Sequence, residues 1–146
     1  ERQVAAQLTP PAIAEKLDEN KILRFVRSEA FDRICGAEEV LRELAFITSL
    51  PAAEVMAAQG RALPEGDGAA DAGVLVQGIA DIVLVYPDHL ELLDYKTDRR
   101  KTRTDFVRAY RAQLELYAKA IDKRFAPRRV TYKGIYSLEL GELIKV

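Results

Sequence analysis

The stretch GIADIVLVYPDHLELLDYKTDRR, residues 78–100, contains two apolar runs that are separated by a proline-containing turn. Strands that are buried on both faces have nearly continuous apolar runs, so this stretch predicts a hairpin inside a central sheet. The first run contains one acid, Asp81, and the second contains Asp94 and Lys96. A charge in a buried strand is costly unless a cation, a partner or water compensates it. These three charges are therefore candidates for a functional site.

The register of the hairpin follows from the position of its turn. If the turn is centred between Pro87 and Asp88, Asp81 lies directly opposite Asp94. Cross-strand neighbours have Cβ atoms about 4.5–5.5 Å apart. Lys96, two residues beyond Asp94, then emerges on the same face. A shift of one residue in the turn would make the contact between the two acids diagonal instead.

Two directly opposed carboxylates repel each other unless a cation lies between them. Mg²⁺ takes oxygen ligands and keeps several waters, and such an ion can bind a phosphate oxygen and activate a water. A nearby lysine can stabilise the charge that develops during phosphoryl transfer. The pattern therefore predicts a site that hydrolyses phosphodiesters. The alternative is a structural ion pair between Asp81 and Lys96, with Asp94 as a capping residue.

The remaining chain predicts helices, then strands, then a helix, then strands, which is an α/β or α+β fold with a mixed central sheet flanked by helices. The further elements are, in chain order, helix starts at Thr9 and Asn20, a strand over residues 39–50, a helix over 52–58, a turn over 64–68, strands over 74–86 and 90–96, a helix over 104–125, and strands over 130–137 and 142–146.

Length and composition limit the class of protein. A chain of 146 residues fits one domain. Its 22 basic and 23 acidic residues exclude a bulk polycation, although a local basic stripe is enough to bind nucleic acid. The one cysteine, Cys35, excludes an internal disulfide. The chain has no apolar run long enough for a bilayer and no signal peptide at its start. We therefore expect a cytoplasmic domain, and the missing initiator Met predicts a fragment of a longer protein.

Four motifs occur together in a characteristic order. They are Arg42-Glu43 followed by Phe46, the QGIAD segment at residues 77–81, the LDYKTD segment at 93–98, and the set Tyr110, Gln113 and Tyr117. Together they resemble the PD-(D/E)XK nucleases of the RecB-like branch, and within it the C-terminal nuclease domains of AddA-type helicase–nucleases. The resemblance covers roughly residues 20–137 and implies a restriction-endonuclease-like core.

The resemblance also implies roles for the hairpin residues. It makes Asp81, Asp94 and Tyr95 the metal-binding positions, with Mg²⁺ or Mn²⁺ as the metal, and Lys96 the catalytic lysine. Glu43 becomes a secondary acid near the metal. The alternative for Glu43 is a surface charge on the edge of a strand.

Two helix residues gain roles in the same way. Gln113 and Tyr117 lie four positions apart on one helical face, and the resemblance places them beside the active site, where they orient the lysine or the DNA. The alternative is an amide on the helix surface for Gln113 and core packing for Tyr117.

One departure from the family pattern concerns histidine. RecB-like nucleases usually carry a metal-ligating histidine on a helix near the start of the domain. The only histidine here, His89, lies in the hairpin turn, where an exposed residue is expected. We therefore expect the family histidine, with the first helix of the domain, to lie upstream of Glu1.

Six basic residues close to the predicted site form a candidate DNA-binding cluster. Arginine and lysine beside a nuclease site can hold phosphates, although a solvated loop is the simpler alternative. The six are Arg99, Arg100, Lys101, Arg103, Arg108 and Arg111.

Taken together, the resemblance implies that residues 1–146 form one nuclease domain of a helicase–nuclease. The expected activity is Mg²⁺-dependent hydrolysis of DNA, as an exonuclease, in double-strand break repair and recombination. The expected partners are a DNA single strand or duplex end, a helicase motor in the same full-length chain and an AddB-like second subunit, in the bacterial cytoplasm and at the nucleoid. The alternatives are a free-standing RecB-like exonuclease, a restriction-type endonuclease and a docking module that does not cut.

Overall fold

The computed structural model describes residues 18–62 and 70–146. The predicted helix start at Thr9 and the predicted turn over residues 64–68 lie outside these ranges. The described elements are α1 (Glu19–Val26), α2 (Glu29–Gly36), β1 (Glu39–Pro51), α3 (Ala52–Ala58), β2 (Gly73–Val85), β3 (Leu90–Lys96), α4 (Arg103–Arg124), β4 (Val130–Ser137) and β5 (Glu142–Lys145). The predicted order of helices, strands, helix and strands is confirmed, but α2 was not predicted as a separate helix. The predicted bounds of the strands and of α3 and α4 are correct to about one residue.

The start of α1 differs from the prediction. Asp18, and not Asn20, is the N-cap, and its carboxylate accepts a hydrogen bond from the Asn20 backbone at 3.1 Å. An N-cap residue lies directly before the first helical residue, and its side chain accepts hydrogen bonds from backbone N–H groups in the first turn. Ser28 caps α2 in the same way by accepting from the Phe31 backbone.

The five strands form one mixed sheet in the order β1-β2-β3-β4-β5. Only β3 and β4 run parallel, and the other neighbouring strands are antiparallel. A parallel pair needs a long crossover, and α4 supplies it. The predicted mixed α/β sheet is therefore confirmed.

Helices cover the two faces of the sheet. Phe106, Leu114 and Ile121 of α4 are buried against one face, in a cluster that includes Val83 and Leu92. On the other face, Ile34 of α2 packs against a smaller cluster formed by Ile82, Leu84 and Leu93. This double cover explains the nearly continuous apolar runs of β2 and β3.

Helix α4 begins at a reciprocal cap. The Thr102 hydroxyl accepts a hydrogen bond from the Asp105 backbone, and the Asp105 carboxylate accepts one from the Thr102 backbone at 2.9 Å. Such a capping box satisfies two backbone donors at once. It determines where α4 starts and, with it, which of its residues reach the sheet.

The basic end of α4 protects the edge strand β1. Lys123 donates to the Ser49 carbonyl and Arg124 to the Ala45 carbonyl, each at 2.9 Å. Lysines and arginines that cover an edge in this way discourage pairing with another strand. Among the helices in residues 18–62 and 70–146, none has the length and apolar character that crossing a membrane requires.

Candidate active site

The β2–β3 ladder confirms the predicted hairpin register. Ile82 pairs with Leu93 and Val85 with Leu90, and the next position in this register holds Asp81 opposite Asp94. The ladder ends there, and the Asp81 Oδ2 atom accepts a hydrogen bond from the Tyr95 backbone N–H at 2.9 Å. The Asp81 side chain therefore takes the place of a backbone hydrogen-bond partner for Tyr95. Asp81 and Asp94 lie where the central strands β2 and β3 part.

Strand β1 is irregular at the same level. Its pairing with β2 is regular on both sides of Glu43 and Asp81, but these two residues are not themselves paired. Glu43 has a φ of 49°, in the left-handed region that residues with a side chain seldom adopt. Such backbone costs about 1–3 kcal/mol and is concentrated at functional sites. Glu43, Asp81 and Asp94 thus occupy neighbouring positions across β1, β2 and β3.

The side chains of β2 change faces at this irregularity. Ala80 and Val83 both pack in the cluster on the α4 side, whereas Ile82 packs in the opposite cluster. Residues three apart on a regular strand would lie on opposite faces. A cavity of about 360 Å³ lies at this irregularity, beside Glu43 and Asp81, and its other lining residues are Arg42, Ile82 and Tyr95.

Asp94 is a buried acid with a cationic partner. Its side chain is 6% exposed, and its Oδ2 atom forms an ion pair with the Lys96 ammonium. Lys96 therefore pairs with Asp94 and not with Asp81. Burial raises the pKa of the Asp94 carboxyl, Lys96 lowers it, and the charges of Asp81 and Asp98 raise it further. The net direction is upward, so Lys96 does not fully compensate for the burial of this charge.

Replacement of Asp94 by Asn is expected to stabilise the metal-free protein at neutral pH. A carboxyl whose pKa is higher in the folded state contributes stability while protonated, and this contribution is lost as the pH rises through the folded pKa. Asn stays neutral at every pH. In EDTA, the melting temperature of Asp94→Asn should exceed that of the parent at about pH 7 and lose this advantage towards about pH 4.

The matched control is Asp88→Asn in the hairpin turn. Asp88 is exposed, and its hydrogen bond with His89 lowers the pKa of its carboxyl. Its replacement should not raise the melting temperature at neutral pH. A fall in melting temperature for Asp94→Asn would contradict the prediction.

The hairpin contains another buried acid, Glu91, which has a structural partner. Arg33 of α2 contacts the Glu91 Oε1 atom at 2.6 Å, and the same guanidinium lies 3.7 Å from the ring centroid of Tyr132. Arginine is suited to such a half-buried pair because it also stacks on aromatic rings. Glu91 is therefore part of the packing of α2 and not of the candidate site.

Helix α4 brings a tyrosine to Lys96. The Lys96 Nζ atom lies 4.7 Å from the ring centroid of Tyr110. No role was predicted for this ring, although Tyr110 shares the spacing of three and four residues with Gln113 and Tyr117.

Of the two α4 residues with predicted roles, Gln113 is half-buried. Tyr117 packs edge-on against Phe46, with ring centroids 4.9 Å apart, so it adopts the core contact that was its alternative, and its predicted catalytic role stays a prediction.

The six predicted DNA-binding residues fall into two groups. Lys101 is paired with Asp98, and Arg103 with Glu142. The other four are exposed and form no ion pair with another described residue; they are Arg99, Arg100, Arg108 and Arg111.

The donor set fits a hard divalent cation. Among the described residues, no group of three or more His, Cys, Asp or Glu side chains is arranged to hold a metal ion. Mg²⁺ does not need such a cage, because one or two carboxylates, waters and substrate phosphates commonly suffice. Asp81 and Asp94 supply two carboxylates at neighbouring positions of β2 and β3, and the buried Asp94 Oδ2 atom contacts the Lys96 ammonium. His89 lies in the turn at the other end of the strands and pairs with Asp88.

A mixed sheet with Asp81, Asp94 and Lys96 where its central strands part defines a restriction-endonuclease-like α/β core. Residues 1–142 match the family described as the PD-(D/E)XK nuclease superfamily, and the chain belongs to this superfamily. It is also similar to proteins named as subunits of ATP-dependent helicase/nucleases. The match is 32% identical over 142 residues in Ligilactobacillus salivarius (97% of this chain, 11% of the relative), and 30% identical over 148 residues in Carboxydothermus hydrogenoformans (100% and 12%).

A third relative of the same name, from Heliobacterium modesticaldum, is 33% identical over 150 residues, which cover 97% of this chain and 10% of the relative. The chain therefore spans about a tenth of the length of these relatives. The predicted resemblance to RecB-like and AddA-type nucleases is confirmed.

Proposed function

We propose that the chain is a metal-dependent deoxyribonuclease domain that hydrolyses phosphodiester bonds. The observation that carries the proposal is the meeting of Asp81, Asp94 and Lys96 where the β2–β3 ladder ends. Membership of the nuclease superfamily supports the same reaction. Exonuclease action on single-stranded DNA is the mode that we propose.

The residues of the site have distinct tasks in this proposal. Asp81 and Asp94, with the neighbouring Tyr95, hold Mg²⁺ or Mn²⁺, and the Tyr95 N–H fixes the orientation of the Asp81 carboxylate. A divalent ion at such a site polarises a phosphate oxygen and lowers the pKa of a bound water. Lys96 places a positive charge beside the acids, where it stabilises the negative charge that develops on the phosphate.

Further residues extend the site. Glu43, in its strained conformation next to Asp81, acts as a secondary acid, and Gln113 and Tyr117 orient the lysine or the DNA. The exposed arginines Arg99, Arg100, Arg108 and Arg111 bind phosphates, since they have no ion pair with another described residue. Lys101 and Arg103 contribute less, because Asp98 and Glu142 neutralise them.

The relatives suggest the larger context. Their names describe subunits of ATP-dependent helicase/nucleases, which supports a helicase motor in the same polypeptide, with residues 1–146 as its nuclease domain. We propose that the whole protein works with an AddB-like second subunit on DNA ends, in repair and recombination in the bacterial cytoplasm and at the nucleoid.

Cutting of labelled single-stranded DNA tests the activity. The chain should cut with Mg²⁺ or Mn²⁺ and stop when EDTA is added. Lys96→Ala should lower the rate by about a hundredfold, because one stabilising charge is lost from the transition state. Lys145→Ala is the matched control, since Lys145 is an exposed strand lysine with no ion pair to another described residue.

Two outcomes would count against the proposal. Cutting that persists in EDTA would contradict metal dependence. If neither this chain nor a longer protein extended upstream cut DNA with any divalent metal, a docking module that keeps the nuclease fold would be the better conclusion. Preference for internal sites on circular DNA would instead favour a restriction-type endonuclease.

A further inference from the structure

The ring of Tyr110 lies beside two ammonium groups. The Nζ atoms of Lys96 and Lys101 are 4.7 Å and 4.6 Å from its centroid. A cation within about 6 Å of a ring centroid is attracted by the negative face of the ring. Tyr110 therefore contacts the lysine of the candidate site from α4, an element that contributes none of the three site charges.

The Tyr110 hydroxyl is anchored on both sides. It donates a hydrogen bond to the Asp98 carboxylate, 2.8 Å from Oδ2, and accepts one from Lys101 Nζ at 3.2 Å. Lys101 and Asp98 also form an ion pair at 2.6 Å. The three groups make a closed network, and Lys101 and Asp98 neutralise each other within it. Their main effect is therefore to hold the ring.

The buried side of α4 supports the ring as well. Phe106, which is fully buried, stacks near Tyr110 with ring centroids 6.2 Å apart and an interplanar angle of 29°. Four residues separate the two rings, so they lie on one helical face. The position of Tyr110 thus depends on packing as well as on hydrogen bonds.

Lys96 needs such a support because its own side chain is flexible. A lysine is a compact charge on a four-carbon stem, and many rotamers of Lys96 would carry it away from the acids. The ion pair with Asp94 restrains one side of the ammonium, and the Tyr110 ring restrains it from α4. A defined ammonium position matters because a charge stabilises a transition state only if it is already in place.

We propose that Tyr110, anchored by Asp98 and Lys101, is a positioning residue that holds the Lys96 ammonium beside Asp94. The contact rests on geometry alone, whereas its consequence for cutting rests on the nuclease function proposed above. An alternative is that Tyr110 only stabilises the fold, with no effect that passes through Lys96.

Lysine NMR tests the contact without any need for cutting. After reductive methylation with ¹³C-formaldehyde, the signals of Lys96 and Lys101 should be shifted by the ring current of Tyr110, and Lys96→Arg and Lys101→Arg assign them. Tyr110→Leu should return the Lys96 signal to the position of exposed lysines. Tyr110→Phe keeps the ring and should retain most of the shift. Tyr86→Leu, in the turn that follows β2, should leave the Lys96 signal unchanged.

Kinetics test the consequence. Tyr110→Leu should lower kcat by about tenfold and leave KM unchanged, and Tyr110→Phe should recover most of the activity. In a Lys96→Ala background, Tyr110→Leu should have no further effect on kcat, since the residue on which it acts is gone.

Two results would overturn the proposal. One is a Lys96 signal that is the same in the parent and in Tyr110→Leu. The other is an equal loss of kcat with and without Lys96, which would make Tyr110 purely structural. The NMR result stands even if the chain cuts no DNA, so failure of the nuclease proposal and failure of this one are distinguishable.

Discussion

Asp81→Asn is expected to lower the rate of DNA cutting by about a thousandfold or more while it leaves the fold intact, because a metal-bound charge contributes several kcal/mol to the transition state. The Asn side chain keeps an oxygen that can accept the hydrogen bond from the Tyr95 N–H, but it lacks the negative charge that holds the metal. Cutting rates and calorimetric titration with Mn²⁺ measure the two effects separately. Melting in EDTA should stay close to that of the parent.

Asp81→Ala should lower both the rate of DNA cutting and the stability of the fold. Without a carboxyl or amide oxygen, the partly buried N–H of Tyr95 loses its partner, and an unsatisfied buried donor costs about 1–3 kcal/mol. The free energy of unfolding should therefore fall for Asp81→Ala and not for Asp81→Asn.

Asp88→Asn, at the exposed end of the same hairpin, is the control for loss of an acid and should cut DNA like the parent. Cutting by Asp81→Asn at the parental rate would remove Asp81 from the metal site. Equal destabilisation by Asn and Ala would show that the hydrogen bond to Tyr95 does not support the fold.

Gly78→Ala is expected to lower the free energy of unfolding by about 1–3 kcal/mol, as overpacking of a filled core commonly does. A Cβ atom at Gly78 would lie 2.8 Å from the Phe46 Cζ atom and 2.8 Å from the Cζ and hydroxyl oxygen atoms of Tyr117. These are ring atoms of the buried Phe46 and of the partly buried Tyr117, so they cannot rotate away as the end of a flexible side chain could. Urea denaturation measures the change, and Gly78→Val should cost more.

Gly36→Ala is the matched control, because no heavy atom lies within 4 Å of a Cβ at Gly36. Alanine at the end of α2 should be neutral or slightly stabilising.

A double variant tests the cause of the loss. Gly78→Ala combined with Tyr117→Leu should lower the free energy of unfolding by less than the sum of the two single changes, since Tyr117→Leu removes the atoms that the new methyl group meets. Additive losses would show that the clash with Tyr117 is not the cause.

This packing also explains one motif of the superfamily resemblance in physical terms. The glycine in QGIAD lets the Tyr117 ring approach the backbone of β2 closely. Gly78 therefore relates to the docking of α4, whereas Asp81 in the same motif relates to the site.

Local sequence patterns determined much of this protein. The apolar runs and the turn chemistry of residues 78–100 were sufficient to predict the hairpin, its register and the placement of Asp81 opposite Asp94. All three depend on residues that are close together in the chain. The same holds for α4, whose apolar spacing and terminal proline are local signals.

Only the tertiary structure separated residues that look alike in sequence. Glu91 and Asp94 are both buried acids of β3, but Arg33 of α2 pairs with Glu91, and Lys96 remains for Asp94. Tyr110 and Tyr117 lie on one helical face, yet one meets Lys96 and the other meets Phe46. For Glu91, Tyr110 and Tyr117 the deciding partner comes from another element of the fold. A local pattern carries no information about such partners, because burial and charge pairing are decided where distant segments meet.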